Sequence, residues 1–478
     1  MCVTYLSEGL CSGGNAVTEL HILVAGKRCA RASDRGGTPR IHYDMSSEGV
    51  RAGLAISLSM PPRTEAYGGG CVQNWLENLL PENRLDLEAI ARDTSGGMKA
   101  CSTRNPLRML EKIGEDCAGA VQVVRVERLD AVLNAGGIDP VSDAEVEKMI
   151  REVRLGRAVA GRFPGSSQGR FSLAGAQKKT ALRRLGDGSW GIPYGREPTT
   201  HIMKPPITDM PGQVEGEHFC LRLCRATGLS AARSEVLEFG LETVICVERF
   251  DRLSAGNEEV SRVHVEDMCQ ALSVPPSRKY QSDGGPGATE ICGEVLSRSV
   301  RADADRETFM QAMVTNWVLM GTDAHAKNYS VFVLPGAERP AAALAPLYDV
   351  NTFAPYPEAS WNKGTMSMSV GGKYVFSQIH ERHWRTACDR AGFFPAEGAE
   401  WLEKVICDIR EKAPAVAEKT IKEGLNPEWM EKLSSITTSR CEKVLSTLFP
   451  LKTYSFTGNY CPTGLSDAEP PQSDMPSP

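Results

Sequence analysis

The stretch Gly321-Thr322-Asp323-Ala324-His325-Ala326-Lys327-Asn328 lies between an apolar helical pattern ending at Met320 and a strand-like run from Tyr329 to Leu334. An Asp followed five positions later by an Asn suits phosphoryl transfer: the first side chain orients an acceptor hydroxyl and the second holds Mg²⁺. That spacing is expected about once by chance in a chain of this length, and a polar loop at a helix stop is the plain alternative. The sequel strengthens the chemical reading. A short strand, a Pro/Gly turn and the apolar Ala343 to Leu347 deliver Tyr348-Asp349. Two strands joined by a turn place Asp349 beside Asn328, two oxygen ligands for a hard cation. Asp349-Val350-Asn351 stands where kinases usually carry Asp-Phe-Gly.

Such a site also needs a grip on phosphates. Phe171 to Thr180 (FSLAGAQKKT) offers small residues in front of an expected helix from Thr180 to Leu185, and exposed amides there suit anions. It is not a Walker A loop, because Leu173 and Lys178 occupy the positions of both required glycines. From Arg151 to Arg184 the chain carries nine basic residues against one acid, Glu152, for which a solvated basic face is the alternative. Lys204 closes the strand-like Thr200 to Met203 and precedes two prolines, which places its ammonium over the phosphates; a surface lysine at a strand end is the alternative. Glu217, on the next helix, is the carboxylate whose order in the chain suits it to orient Lys204. The run Thr243 to Asp251 (TVICVERFD) reads as a buried strand crossing between lobes, where backbone groups can read a base.

The elements that must position these groups fall into a consistent order. The 478 residues fit two or three folding units with cores large enough to need no disulfides. Hydrophobic residues at 41% and charged residues at 24% exclude a mostly disordered, collagen-like or coiled-coil chain. A net charge of −6 means that nucleic acid is met through a local patch or a partner. No signal peptide or membrane span is visible, so the expected location is the cytoplasm, and the 15 scattered cysteines read as reduced, packed thiols.

Residues 1–135 read as a small α/β module, with strands over His21 to Val24 and Gly53 to Leu58 and helices over Val72 to Leu80 and Leu85 to Arg92. Residues 136–252 read as a strand-rich lobe with one main helix, Glu217 to Thr227. Residues 253–452 read as mostly helical: Val265 to Leu272, Thr289 to Arg298, Glu307 to Met320, Glu400 to Lys412 and Met430 to Leu448. The Pro- and Ser-containing tail, 453–478, reads as disordered.

In this order the segments SLAGAQKKTAL (172–182), PTTHIMKPP (198–206), VERFDR (247–252), EDMCQAL (266–272), SDGGPG (282–287), TDAHAKNYSVF (322–332) and PLYDV (346–350) resemble the HipA family of serine/threonine kinase toxins from bacterial toxin–antitoxin pairs. Weaker similarity continues through NWLENLLPE (74–82) and LEKIGEDCAGAV (110–121). The resemblance implies an α+β, two-lobed protein-kinase-like fold related to lipid kinases, with a mixed α/β N-terminal half and a mostly helical C-terminal half. It implies ATP and Mg²⁺ as cofactors, Asp323 as catalytic base, and Asn328 and Asp349 as metal ligands. Lys204 would bind the α/β phosphates under a loop of Ala174, Gly175, Ala176, Gln177, Lys178 and Lys179. Glu248, Arg249 and Phe250 would hold adenine, and His325 and Tyr348 would line the nucleotide.

Ser172 matches the serine that the family autophosphorylates, an off-switch, since about −2 charges beside the ATP phosphates repel the nucleotide. The implied partners are a translation-related protein substrate of the aminoacyl-tRNA synthetase class and a helix-turn-helix antitoxin of HipB type that carries the contact with operator DNA; no membrane is implied. The family loop often reads A-G-A-Q-E-K, and here Lys178 replaces the acid while Lys179 and the glycine remain.

Three other readings remain open on the residues. A kinase-shaped corepressor of an antitoxin is one, and a small-molecule kinase is another. The third takes His380 with His383, or Cys220 with Cys224, as metal ligands, although no second ligand pair accompanies either.

Overall fold

The computed structural model describes residues 18–35, 38–94, 98–156, 171–254, 259–336, 339–396 and 398–450. Part of the basic segment, 157–170, and the tail read as disordered lie outside the described residues.

The first module is an antiparallel sheet of four strands in the order Thr38–Tyr43, Lys27–Arg35, Thr18–Val24, Val121–Arg125. Thr38–Tyr43 alternates exposed and buried residues, the pleat of a sheet with one covered face. The helices Gly70–Asn78, Arg84–Arg92 and Pro106–Ile113 bring Trp75, Leu76, Ile90 and Leu110 into a core with Ile22, Ile41 and Val123. Asn83 and Asn105 cap the second and third helices, and Pro106 at the start of the third has no N–H to satisfy.

Gly53 to Leu58 is not the strand its composition suggests. The N–H groups of Ile56 and Leu58 donate instead to the Tyr43 hydroxyl (2.9 Å) and the Glu266 carboxylate (2.8 Å). Side chains of other elements thus take the place of a neighbouring strand.

The second sheet has six antiparallel strands in the order Gly136–Val141, Trp190–Gly195, Thr180–Arg184, His201–Lys204, Glu242–Glu248, Ser234–Phe239. The helix expected over Thr180 to Leu185 is therefore the strand Thr180–Arg184. Its first four residues are all buried, and it pairs with His201–Lys204 through Thr180–Met203, Ala181–Ile202 and Leu182–His201. A central ladder covered on both sides outweighs the helix preference of Ala, Leu and Arg. The loop before it leads into a strand, so no helix N-terminus stands behind it. The helix Asp143–Arg154 packs Val146, Met149 and Ile150 into a core with Leu182, Trp190 and Val244. The helix Gln213–Ala226 puts Phe219, Leu223 and Cys224 into the continuous core of the C-terminal half.

That half is built on the helices Ala302–Leu319, Glu381–Ala391, Ala399–Lys422 and Pro427–Leu448. A three-stranded sheet, Val265–Asp267, Ser330–Leu334 and Ala341–Leu344, lies beside them with Ser330–Leu334 in the middle. The helix expected over Val265 to Leu272 is split between the strand Val265–Asp267 and the short helix Met268–Ala271. Val265 pairs with Phe332, and the Asp267 carboxylate accepts the Gln270 N–H (2.9 Å), so the helix starts only after Asp267. Thr289 to Arg298 is helical but irregular, with a π-turn over Ile291–Val295 and a 3₁₀ turn over Leu296–Arg298. The described cysteines are all free. Among the described residues no helix is long and apolar enough to cross a membrane.

A buried ionic cluster joins the first module to the segments that flank the six-stranded sheet. The Asp116 carboxylate accepts from Arg252 (2.9 Å), Arg262 (3.2 Å) and the Thr199 hydroxyl (2.7 Å). Arg249 pairs with Asp251 (2.8 Å), whose carboxylate also receives the Gly119 N–H. Burial opposes the Asp116 charge, but the three arginines overcome it and hold its pKa well below the usual carboxylate range. Asp116→Ala strands Arg252 and Arg262 without their shared acceptor, and the expected loss is about 3–5 kcal/mol in urea unfolding.

Candidate active site

The six-stranded sheet, the first module and the helical half enclose a cleft of about 910 Å³. Lys204 is its anchor. At the end of its strand it faces Ile245 across the ladder, and its buried ammonium donates to Glu217 (2.7 Å) and Asp349 (2.6 Å). Burial works against that charge, but the two carboxylates override it and raise the lysine pKa above its ordinary value. Burial likewise pushes Glu217 up against the pull of Lys204, so the ammonium is the fixed charge of the trio. Asp349 is also pushed up by burial, but Lys204 and Lys179 override this and hold it low.

Asp349 sits at φ +58°, a left-handed conformation that is uncommon outside glycine. Tyr348 before it fixes the approach, its hydroxyl donating to the Lys327 carbonyl and lying 2.7 Å from the Ser330 hydroxyl.

On the other wall, Ala302–Leu319 ends at Met320, also left-handed at φ +54°, and releases the loop that carries Asp323. The loop closes on itself. The Asp323 carbonyl accepts from the Asn328 amide (2.7 Å) and the His325 N–H (2.8 Å). With its NH₂ committed inward, Asn328 keeps its amide oxygen for the cleft it lines. His325 is buried edge-on to Tyr280, its Nδ1 has no hydrogen-bond partner, and burial lowers its pKa in spite of Asp323.

The phosphate-loop candidates also reach the cleft, but they differ in direction. Gly175 adopts φ +110°, and its carbonyl accepts the Glu82 N–H (3.2 Å) from the first module. Gln177 lies against Gln213 and the Pro205 carbonyl, 3.3 Å from each. Lys179 is half-buried and donates to the Ala174 carbonyl (2.6 Å); desolvation and the nearby Lys204 charge lower its pKa to about 8. Lys178 turns outward to the Arg154 carbonyl (3.3 Å) at the end of Asp143–Arg154, where a cation meets the negative pole of a helix. Of Glu248, Arg249 and Phe250, the Arg249 guanidinium is committed to Asp251 and Thr199, so this segment offers backbone, the exposed Glu248 carboxylate and the Phe250 ring, which lies 5.5 Å from the Tyr348 ring. Ser172 is fully buried, donating its hydroxyl to the Leu79 carbonyl (2.6 Å) and its N–H to the Asp116 carbonyl (2.8 Å).

Several groups around this cleft escape sequence reasoning. Lys327, inside the Asp323 loop, is buried against Asp267 (2.6 Å) and Asn78 (2.7 Å). Lys279 pairs with Glu82 (2.7 Å), and the Tyr280 hydroxyl donates to Asp323. Glu82 and Lys279 are 197 positions apart, so no spacing announces them; the only sequence signal is that Asn78 and Glu82 lie inside NWLENLLPE. Of the alternative metal ligands, His383 Nδ1 accepts the His380 N–H (3.0 Å) as part of a helix cap, and Cys220 and Cys224 are packed in the core.

Among the described residues no group of three or more His, Cys, Asp or Glu is placed to hold a metal. Asn328 and Asp349 supply an amide and a carboxylate oxygen, hard donors that suit a cation such as Mg²⁺, which keeps most of its waters and takes substrate phosphates as further ligands.

Residues 20–124 match the HipA N-terminal domain, and residues 171–417 match the HipA-like C-terminal domain. The putative kinase Y4mE of Sinorhizobium fredii is 33% identical over 346 residues, 71% of this chain and 77% of that protein. The serine/threonine-protein kinase toxin HipA of Shewanella oneidensis is 28% identical over 334 residues, 66% of this chain and 71% of the toxin. The solved complex of Shewanella oneidensis HipA, HipB and operator DNA contains a chain that superposes with a TM-score of 0.72 at 23% identity, covering 89% of this chain and 97% of that one. The fold is thus the α+β, kinase-like one expected from the sequence.

Amine-reactivity profiling of Lys179 against pH is expected to give a midpoint of about 8. In Lys204→Met the midpoint moves up, because a neighbouring positive charge is removed and two carboxylates are freed.

Proposed function

The chain belongs to the HipA family of serine/threonine kinase toxins, and on that premise we propose that it is an Mg²⁺- and ATP-dependent protein serine kinase that arrests growth. The observation that carries this reading is the Lys204 ammonium shared between Glu217 and Asp349 in the cleft that also holds Asp323 and Asn328. In this reading Lys204 and Lys179 offset charge on the triphosphate, and the Ala174 to Lys179 loop covers it. Glu248 to Phe250 hold adenine beside Tyr348, and the unpartnered His325 Nδ1 is left for the nucleotide. Asn328 and Asp349 would hold magnesium, which neutralises phosphate charge when bound. The acceptor oxygen bonds to the γ-phosphorus as the bond to ADP breaks, and Asp323 takes the hydroxyl proton. Positioning and charge compensation then supply most of the rate.

The acceptor in this reading is a serine of a translation-related protein of the aminoacyl-tRNA synthetase class. The partner in this reading is a helix-turn-helix antitoxin that carries the DNA contact; the solved Shewanella assembly, with HipB and operator DNA, supports a HipB-type antitoxin and DNA as partners. Ser172 would be the self-inhibiting site. Its hydroxyl is enclosed in this conformation, so the loop must leave to be modified. A phosphate of about −2 charge does not fit back into that enclosed position, so Ala174 to Lys179 would stay out of the cleft.

Full-length protein with Mg²⁺ and labelled ATP is expected to label itself at Ser172, and Asp323→Ala to abolish the label. Wild-type protein that neither labels itself nor binds ATP would instead fit a corepressor. ATP affinity is expected to fall as pH rises through about 8, because the ATP-free protein loses the Lys179 proton there and must take it up again to bind. In Lys179→Arg, which stays charged, equilibrium binding loses that dependence.

A further inference from the structure

Asp323 is 64% exposed at its side chain, so packing does not fix the plane of its carboxylate. What fixes it is a contact from a separate segment. The Tyr280 hydroxyl donates to Asp323 Oδ1, and His325 Nε2 lies 3.8 Å from the same oxygen. Among the described residues Oδ2 receives no hydrogen bond. A carboxylate held at one oxygen presents the other in a set direction, whereas one free to rotate presents it in many.

We propose that Tyr280 is a positioning residue for Asp323: it claims Oδ1 and so dedicates Oδ2 to the acceptor hydroxyl. This rests on the reading of Asp323 as the base.

Tyr280 is itself held at its ring and at its backbone. Its ring meets His325 edge to face at 5.0 Å. Its carbonyl accepts the N–H groups of Asp283 (3.1 Å) and Gly285 (3.0 Å) in the glycine turn that follows. Just before it, the Lys279 carbonyl accepts the Ala326 N–H (3.2 Å), tying the segment to the backbone of the Asp323 loop, and the Lys279 ammonium is fixed by Glu82 of the first module. Burial and the Asp323 charge both raise the Tyr280 pKa, so the phenol stays a donor through the physiological range. An exposed carboxylate with no such anchor loses the near-attack geometry, a loss of roughly 10- to 100-fold in rate for a displacement on the order of 1 Å.

The test uses the full-length chain with Mg²⁺ and labelled ATP, and measures initial transfer to Ser172 together with fluorescent-ATP affinity. In Tyr280→Phe, which removes one oxygen from a partly exposed ring, the maximal rate is expected to fall roughly 10- to 100-fold with ATP affinity and melting temperature unchanged. A rate loss matched by an equal loss of ATP affinity assigns Tyr280 a general structural role and overturns the proposal. Full activity in Tyr280→Phe beside an inactive Asp323→Ala overturns the proposal alone. No transfer in wild type, or an Asp323→Ala chain as fast as wild type, overturns the kinase reading and the proposal with it.

Discussion

One ammonium group, that of Lys204, is shared by two carboxylates from opposite sides of the cleft. Glu217 lies on the helix that follows the lysine strand, and Asp349 follows the small sheet of the helical half. A buried cation without partners is costly, and a carboxylate from each side offsets that cost at the lysine. The three groups together carry one negative charge in excess when ionised, and Lys179 stands close enough to offset it. The same arrangement that closes the two halves on each other thus leaves a polar, nearly balanced floor in the cleft.

The first module does more than sit beside this cleft. The end of its Gly70–Asn78 helix and the turn after it contribute Asn78 to Lys327, the Leu79 carbonyl to Ser172, the Glu82 backbone to Gly175 and the Glu82 carboxylate to Lys279. These contacts reach the Ala174 to Lys179 loop, the Asp323 loop and the segment of Tyr280. Asp116 adds a second tie, because its carboxylate gathers the arginines near the strand crossing while its carbonyl holds the Ser172 N–H. The Ser172 loop is thus tied to this module as well as, through Gln177 and Lys178, to the lobe of its own sheet.

Local pattern misled in a few places, each for the same reason. TALRR reads as helix but is a strand because its four leading residues are enclosed between neighbours. Val265 to Leu272 has helical length, yet the pairing of Val265 with Phe332 takes its first turn into a sheet. Gly53 to Leu58 looks like a strand, but Tyr43 and Glu266 take its N–H groups. In each case a partner remote in sequence supplied hydrogen bonds or cover that a local window does not contain.

The sequence by itself determined the helices that end near Met320 and Leu448, the strands that carry Lys204 and the crossing segment, and the spacings within Asp323 to Asn328 and Tyr348-Asp349. These follow from periodicity and from spacings of a few residues, which the covalent chain fixes. Only the tertiary structure decided that Lys178 turns out to a helix end while Lys179 turns in, that the Arg249 side chain belongs to an ionic cluster, that Ser172 is enclosed, and that Glu82, Lys279 and Tyr280 attend the Asp323 loop. Those outcomes depend on which groups, up to about two hundred positions apart, must share a hydrogen bond or a counter-charge once water has been excluded from around them.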